Sequence, residues 1–280
     1  MLASQIAANL ALINWTVLAG LAVGSFAVVL VARLRTPATR GFLAFTAFSA
    51  AGFGILAWLS DDGLAPAATG SPIVADPAFD VPRRAAMAVF IVLAVVTTVA
   101  LACGRRGVWP ATAGLAAGVA SLACGALAWG SGSALATLML GVQLLALAAA
   151  TGGVFAAMIL GHWYLVTPRL PEAPLVLISR LLLGVVVVQV ALFVLWVGTG
   201  AGPGAAGGPF AALAGPWALF VWLRLLVGLV FPLAVSWAAV QTARSRSMES
   251  ATGLLYINVG TIAAGTIVAA GLYFGAGLLV

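Results

Sequence analysis

Eight long stretches of sequence carry almost no charge, and they constrain the fold of this chain more than any other feature. A helix needs about 20 apolar residues to cross roughly 30 Å of hydrocarbon, and each stretch meets that length. The runs are continuous rather than alternating, which indicates helices rather than barrel strands. The sequence therefore predicts an all-α integral membrane protein with eight transmembrane helices. The stretches are 10–32, 41–59, 85–104, 109–129, 134–161, 175–198, 211–242 and 251–278.

The composition identifies the solvent of the folded chain. Of the 280 residues, 64% are hydrophobic and 6% are charged, whereas soluble domains have about 25% charged residues. Such a chain cannot cover a water-facing surface, so its main partner is the lipid bilayer. The formal net charge is +6, but the arginines lie between the apolar runs rather than in one patch. We therefore expect no nucleic-acid partner and interpret the arginines as signals of membrane orientation.

The arginines mark one side of the predicted membrane. The loops after stretches one, three, five and seven, together with the adjoining helix ends, hold Arg33, Arg35, Arg40, Arg105, Arg106, Arg169, Arg180, Arg244 and Arg246. Because positive residues stay in the cytoplasm, we expect these loops inside and both termini on the non-cytoplasmic side of a bacterial-type inner membrane. Arg224 lies about 30 Å of helix before Arg244, which predicts a position at the outer interface, where its side chain snorkels.

Comparison of the two halves predicts an internal repeat. With a shift of about 140 residues, Arg84 falls on Arg224, and Leu93-Ala94-Val95 falls on Leu233-Ala234-Val235. We interpret 1–132 and 133–280 as two four-helix transmembrane repeats. Four crossings return the chain to its starting side, so the copies are expected to be parallel. The alternative is chance matching among small apolar residues.

Few residues have the chemistry to hold a metal or haem. His162 is the single histidine, the two cysteines lie far apart, and the six carboxylates fall in loops. Haem held by two histidines needs a second one, and zinc or copper needs several ligands. We therefore expect neither haem nor a metal site, no covalently bound cofactor and no catalytic residue.

The polar residues inside or beside the stretches form a hypothetical quinone site. A quinone is flat and apolar and has two carbonyl acceptors, so aromatic rings with one or two donors suit it. The alternative is structural, because Trp and Tyr anchor at interfaces and buried amides bond neighbouring helices. The predicted quinone-binding residues are His162, Trp163, Tyr164, Gln189, Tyr256 and Asn258.

The loop 60–82 is the most acidic part of the chain. It holds four aspartates and several prolines on the predicted outer side. Its oxygens lack the ordered spacing of a calcium loop, so we expect a solvated loop. The alternative is a docking edge for another subunit.

An eight-span chain built from two parallel four-helix bundles without haem ligands resembles the membrane subunits of the NrfD/PsrC type. The resemblance covers the architecture of the whole chain and no specific motif. It implies a subunit that anchors iron–sulfur and molybdenum or haem-bearing partners and exchanges electrons or protons with quinone. The lack of mid-membrane carboxylates differs from members thought to conduct protons.

Three functional hypotheses follow from these features. The first is a membrane subunit of a multisubunit redox or respiratory-type complex, not catalytic alone, that interacts with quinone. The second is a small-solute transporter with a cavity between the repeats, and a tightly packed interface would count against it. The third is a structural membrane anchor without a ligand of its own.

Overall fold

The structure, a computed structural model, describes residues 7–64, 72–167, 169–205 and 207–280. Within these ranges the chain is helical with connecting loops and no strands, and eight helices are long and apolar enough to cross a membrane. The predicted fold class is therefore confirmed. The helices are α1 (Leu10–Arg35), α2 (Arg40–Ser60), α3 (Asp80–Ala102), α4 (Val108–Trp129), α5 (Ala134–Val166), α6 (Ala173–Thr199), α7 (Ala218–Arg244) and α8 (Met248–Ala276).

The seventh helix differs most from its prediction. It begins at Ala218 rather than at 211, because Gly215 and Pro216 interrupt the apolar run before it. Inside α7, Leu226–Val230 forms a π-helical turn. Pro232 lies two residues after that turn, and a proline has no N–H to continue the regular hydrogen-bond ladder. The missing N–H of Pro232 therefore coincides with a local widening of α7 into a π turn.

Large apolar side chains cover the outer surface of the helices. Phe48, Val92, Leu138, Val188 and Trp237 are all more than half exposed. Water would make such a surface unfavourable, whereas hydrocarbon solvates it. The chain is therefore a polytopic integral membrane protein.

The helices pack in two closed sets of four. In the first set α1 packs on α2, α2 on α3, α3 on α4 and α4 on α1, and α5–α8 pack in the same order. The most extensive contact between the two sets joins α1 to α5, the first helix of each. The division into repeats at 1–132 and 133–280 stays a prediction, and this packing supports it.

The contact between α1 and α5 brings two backbones together. A Cβ added to Gly24 would overlap the carbonyl oxygen of Ala148, and one added to Gly152 would overlap the backbone nitrogen of Ser25. Small residues permit this approach, which is a common mode of helix association in membranes. The interface between the two sets is consequently closed at its centre.

Two ends of the bundle carry different charges. At one end, Arg33 Nε donates to the Arg106 carbonyl at 3.1 Å, and Arg246 pairs with Glu172 at 3.4 Å. These contacts join segments that are distant in the sequence. We call this the arginine-rich end, and we call the other, where Asp61, Asp62, Asp76 and Asp80 lie, the aspartate end.

A buried ion pair lies at the aspartate end. Arg83 is 2% exposed, and its guanidinium donates to Asp61 at 2.6 Å and to Asp80 at 2.6 Å. The same guanidinium lies 4.8 Å from the centre of the Trp129 ring and 5.8 Å from that of Trp15. The expectation of a wholly solvated acidic loop is therefore wrong at Asp61, because its carboxylate balances the charge of Arg83. Residues 65–71 of the proposed docking loop lie outside the described residues.

Arg224 does not snorkel, contrary to its predicted position at the interface. It is 2% exposed, and its guanidinium donates to the Gly228 carbonyl one turn deeper in α7. Its Nε has no hydrogen-bond partner among the described residues. Helical spacing indicated the depth of the Cα atom but not the direction of the side chain, which turns into the bundle.

Candidate functional site

His162 and Tyr256 meet near the arginine-rich end of the bundle. His162 lies one turn before the end of α5, and Tyr256 lies two turns into α8. The Tyr256 hydroxyl is 3.4 Å from His162 Nδ1, and both side chains are exposed on the outer surface of the helices. This pair combines two groups that donate and accept hydrogen bonds on the outer surface of the helices.

Gly161 allows the two helices to approach closely at this point. A Cβ added to Gly161 would lie 2.8 Å from Thr252 Oγ1, too close for van der Waals contact. Thr252 lies one turn before Tyr256 on α8, and Gly161 directly precedes His162. The absence of a side chain at Gly161 therefore sets the spacing that lets Tyr256 reach the imidazole.

The two aromatic neighbours of His162 point elsewhere. The Trp163 ring lies against Gly41 of α2, where a Cβ would be 2.7 Å from Trp163 Cζ2. Tyr164 is buried, and its hydroxyl donates to the Pro171 carbonyl. Consecutive helical residues point about 100° apart, so three neighbours cannot face one ligand together.

The two amides predicted to bind quinone form hydrogen bonds between helices instead. Gln189 is buried on α6, and its Nε2 donates to the Ala146 carbonyl of α5 at 3.1 Å. Asn258 is fully buried, and its Nδ2 donates to Ser236 Oγ of α7 at 2.8 Å. Of the six predicted site residues, the structure thus brings together His162 and Tyr256, while the other four make separate contacts.

A polar cleft opens at the same end of the bundle. Its volume is about 540 Å³, and Tyr164, Leu170, Arg246 and Glu249 are among the residues that line it. Arg246 and Leu170 were not among the predicted site residues, because they lie in two loops whose proximity depends on the fold. The sequence feature that could have predicted this cleft is the presence of charged residues in both the loop after α5 and the loop before α8.

The described residues contain no group of three or more His, Cys, Asp or Glu side chains placed to hold a metal ion.

No protein-family model, curated protein or solved structure matches this chain. The eight-helix architecture therefore rests on the geometry of the chain itself, and no family is assigned to it.

Proposed function

We propose that this chain is the membrane-embedded, non-catalytic subunit of a redox assembly and that a quinone binds beside His162 and Tyr256. The observation that carries the proposal is the 3.4 Å approach of Tyr256 Oη to His162 Nδ1 on the outer surface of the helices. Both groups face the phase in which a quinone dissolves. The architectural resemblance to NrfD/PsrC-type subunits points in the same direction.

The pair has the hydrogen-bonding capacity that a quinone needs. A quinone carbonyl accepts a hydrogen bond, and either the phenol or the imidazole N–H can donate it. The group that does not contact the ligand orients the other through their shared hydrogen bond. At this depth the quinone ring lies near the interface while its apolar tail remains among the lipid chains.

The closed contact between α1 and α5 argues against the transporter hypothesis. A carrier with its site between two repeats needs a cavity there. Instead, Gly24 and Gly152 bring the two backbones into contact at the centre of that interface. Alternating access would require the separation of the most extensive contact between the two halves.

A ligand-free anchor is the second candidate, and the buried amides favour it. Gln143, Gln189 and Asn258 all donate to groups of the protein itself. Each of these amides therefore already has a hydrogen-bond partner within the protein. In both candidates, other subunits dock on the aspartate end, where Asp62 and Asp76 are exposed.

Quinone binding to the purified protein tests the proposal. We expect His162→Ala and Tyr256→Phe each to weaken binding of a short-chain naphthoquinone about tenfold, because each removes one hydrogen bond of roughly 1.4 kcal/mol. Equilibrium dialysis in detergent measures the dissociation constants directly.

Tyr273→Phe is the matched control for this test. It also removes one phenolic hydroxyl, but the Tyr273 hydroxyl donates to Trp129 at the aspartate end. We expect this variant to bind the quinone as the unaltered protein does. If His162→Ala and Tyr256→Phe bind the quinone as tightly as the unaltered protein does, the proposed site is wrong. If the unaltered protein binds no quinone, the anchor hypothesis replaces the proposal.

A further inference from the structure

A narrow apolar groove runs along the outer surface between α1, α5 and α6. Its volume is about 200 Å³. Gly24, Val28 and Val31 form one wall, Ala149 and Gly153 form the floor, and Leu182 belongs to the opposite wall. α1 and α6 both pack on α5 but hardly touch each other, and this gap creates the groove.

The protein fills the gap between α2 and α5, which also make little contact, with its own rings. There α2 approaches α5, and Phe53 and Phe155 pack edge to face with centroids 5.0 Å apart. Further along, the Trp163 ring covers Gly41. On the α6 side the walls are short aliphatic chains and glycines, so something outside the chain must occupy the space, because hydrocarbon does not leave such a gap empty.

A positively charged side chain lies beyond one end of the groove. Gly24, Val28 and Val31 share a face of α1, and Arg35 lies on that face one turn beyond Val31. Arg35 is exposed and pairs with none of the carboxylates, all of which are described. From Gly24 to Arg35 the helix rises about 16 Å, close to half of the roughly 30 Å hydrocarbon core.

We propose that this groove binds one anionic glycerophospholipid, with an acyl chain between α1 and α6 and its phosphate at Arg35. The distance from Gly24 to Arg35 matches one leaflet, the residues that line the groove are all apolar, and the arginine beyond its end can pair with a phosphate. The neighbouring Arg33 and Arg106, which contact each other, add positive charge at the same end. This lipid is a structural ligand, and its binding is independent of quinone.

Native mass spectrometry of the purified protein with added phosphatidylglycerol or phosphatidylcholine tests this proposal. We expect the unaltered protein to retain phosphatidylglycerol preferentially. Gly153→Leu fills the floor of the groove, where the nearest side-chain atom to an added Cβ is 3.9 Å away. We expect it to reduce retention of phosphatidylglycerol about tenfold, because the acyl chain loses its buried contacts. If Gly153→Leu fails to fold, Ala27→Leu replaces it in the test. Ala27→Leu fills the groove from α1 and should have the same effect.

Two arginine variants separate the headgroup from the acyl chain. Arg35→Gln should lower the preference for phosphatidylglycerol over phosphatidylcholine about fivefold, as expected for one interfacial arginine. Arg180→Gln is the matched control, because Arg180 is exposed near the same end but lies on the opposite face of α6 from the groove. Unchanged retention in the groove-filling variants would overturn the proposal, as would equal losses of preference in the two arginine variants. Retention of an uncharged isoprenoid lipid in place of phosphatidylglycerol would overturn it as well.

Discussion

Asp61→Ala is expected to destabilise the protein by about 3 kcal/mol or more, the cost of leaving one member of a buried ion pair without its partner. Arg83 is buried, and Asp61 holds two of its nitrogens. Asp80 remains as a partner, but its side chain is half exposed and contacts a single nitrogen. The free energy of unfolding in mixed detergent micelles measures the loss.

Asp62→Ala is the matched control for the buried pair. Asp62 is the next residue and pairs with Arg84, but this pair is open to solvent. Exposed ion pairs contribute little to stability, so we expect no significant change. A double variant, Asp61→Leu with Arg83→Leu, should recover much of the loss, because it removes both buried charges together. Equal effects of Asp61→Ala and Asp62→Ala would contradict the structural role of Arg83.

Gly24→Val is expected to separate α1 from α5 and to abolish or severely reduce accumulation of the folded protein. The first carbon of any side chain at Gly24 would overlap the Ala148 carbonyl, and backbone atoms cannot move aside as a flexible side chain can. Overpacking in well-packed cores costs about 1–3 kcal/mol where side chains yield, and here the helices themselves must shift. Thermal unfolding and size-exclusion chromatography in detergent report the change.

Gly52→Val provides the comparison for this substitution. Gly52 lies in the middle of α2, and an added Cβ would meet nothing within 4 Å. We therefore expect Gly52→Val to behave nearly as the unaltered protein does. If the two valine variants were equally stable, the close contact between α1 and α5 would not exist in the folded protein.

The number and positions of the helices were predictable because hydrophobic length depends on local sequence. Each span must be apolar over the thickness of the bilayer, and the charges between spans mark their ends. The start of α7 was missed because 211–214 is apolar but precedes Gly215 and Pro216, and hydropathy alone does not distinguish a span from an apolar loop.

The site was only partly predictable because side-chain direction depends on helix rotation and on the partners of each helix. The sequence placed His162 and Tyr256 at the same end of the bundle, and the structure brings them within 3.4 Å. The sequence could not show that Trp163 and His162 point in different directions, since adjacent residues lie at the same depth but on different faces of the helix. Likewise, it matched Arg84 with Arg224, whereas the arginine buried at the aspartate end is Arg83.

The orientation of the bundle in the membrane can be measured directly, because Cys103 provides a native thiol at one end of it. Cys103 is exposed at the arginine-rich end, beside Arg105 and Arg106. We expect a membrane-impermeant maleimide to label it in inverted membrane vesicles but not in intact cells, because arginine-rich loops remain in the cytoplasm. Ala78→Cys in a Cys103→Ser background places the thiol at the exposed aspartate end and should reverse the result. Labelling of Cys103 from outside intact cells, or of both positions from the same side, would contradict the arrangement.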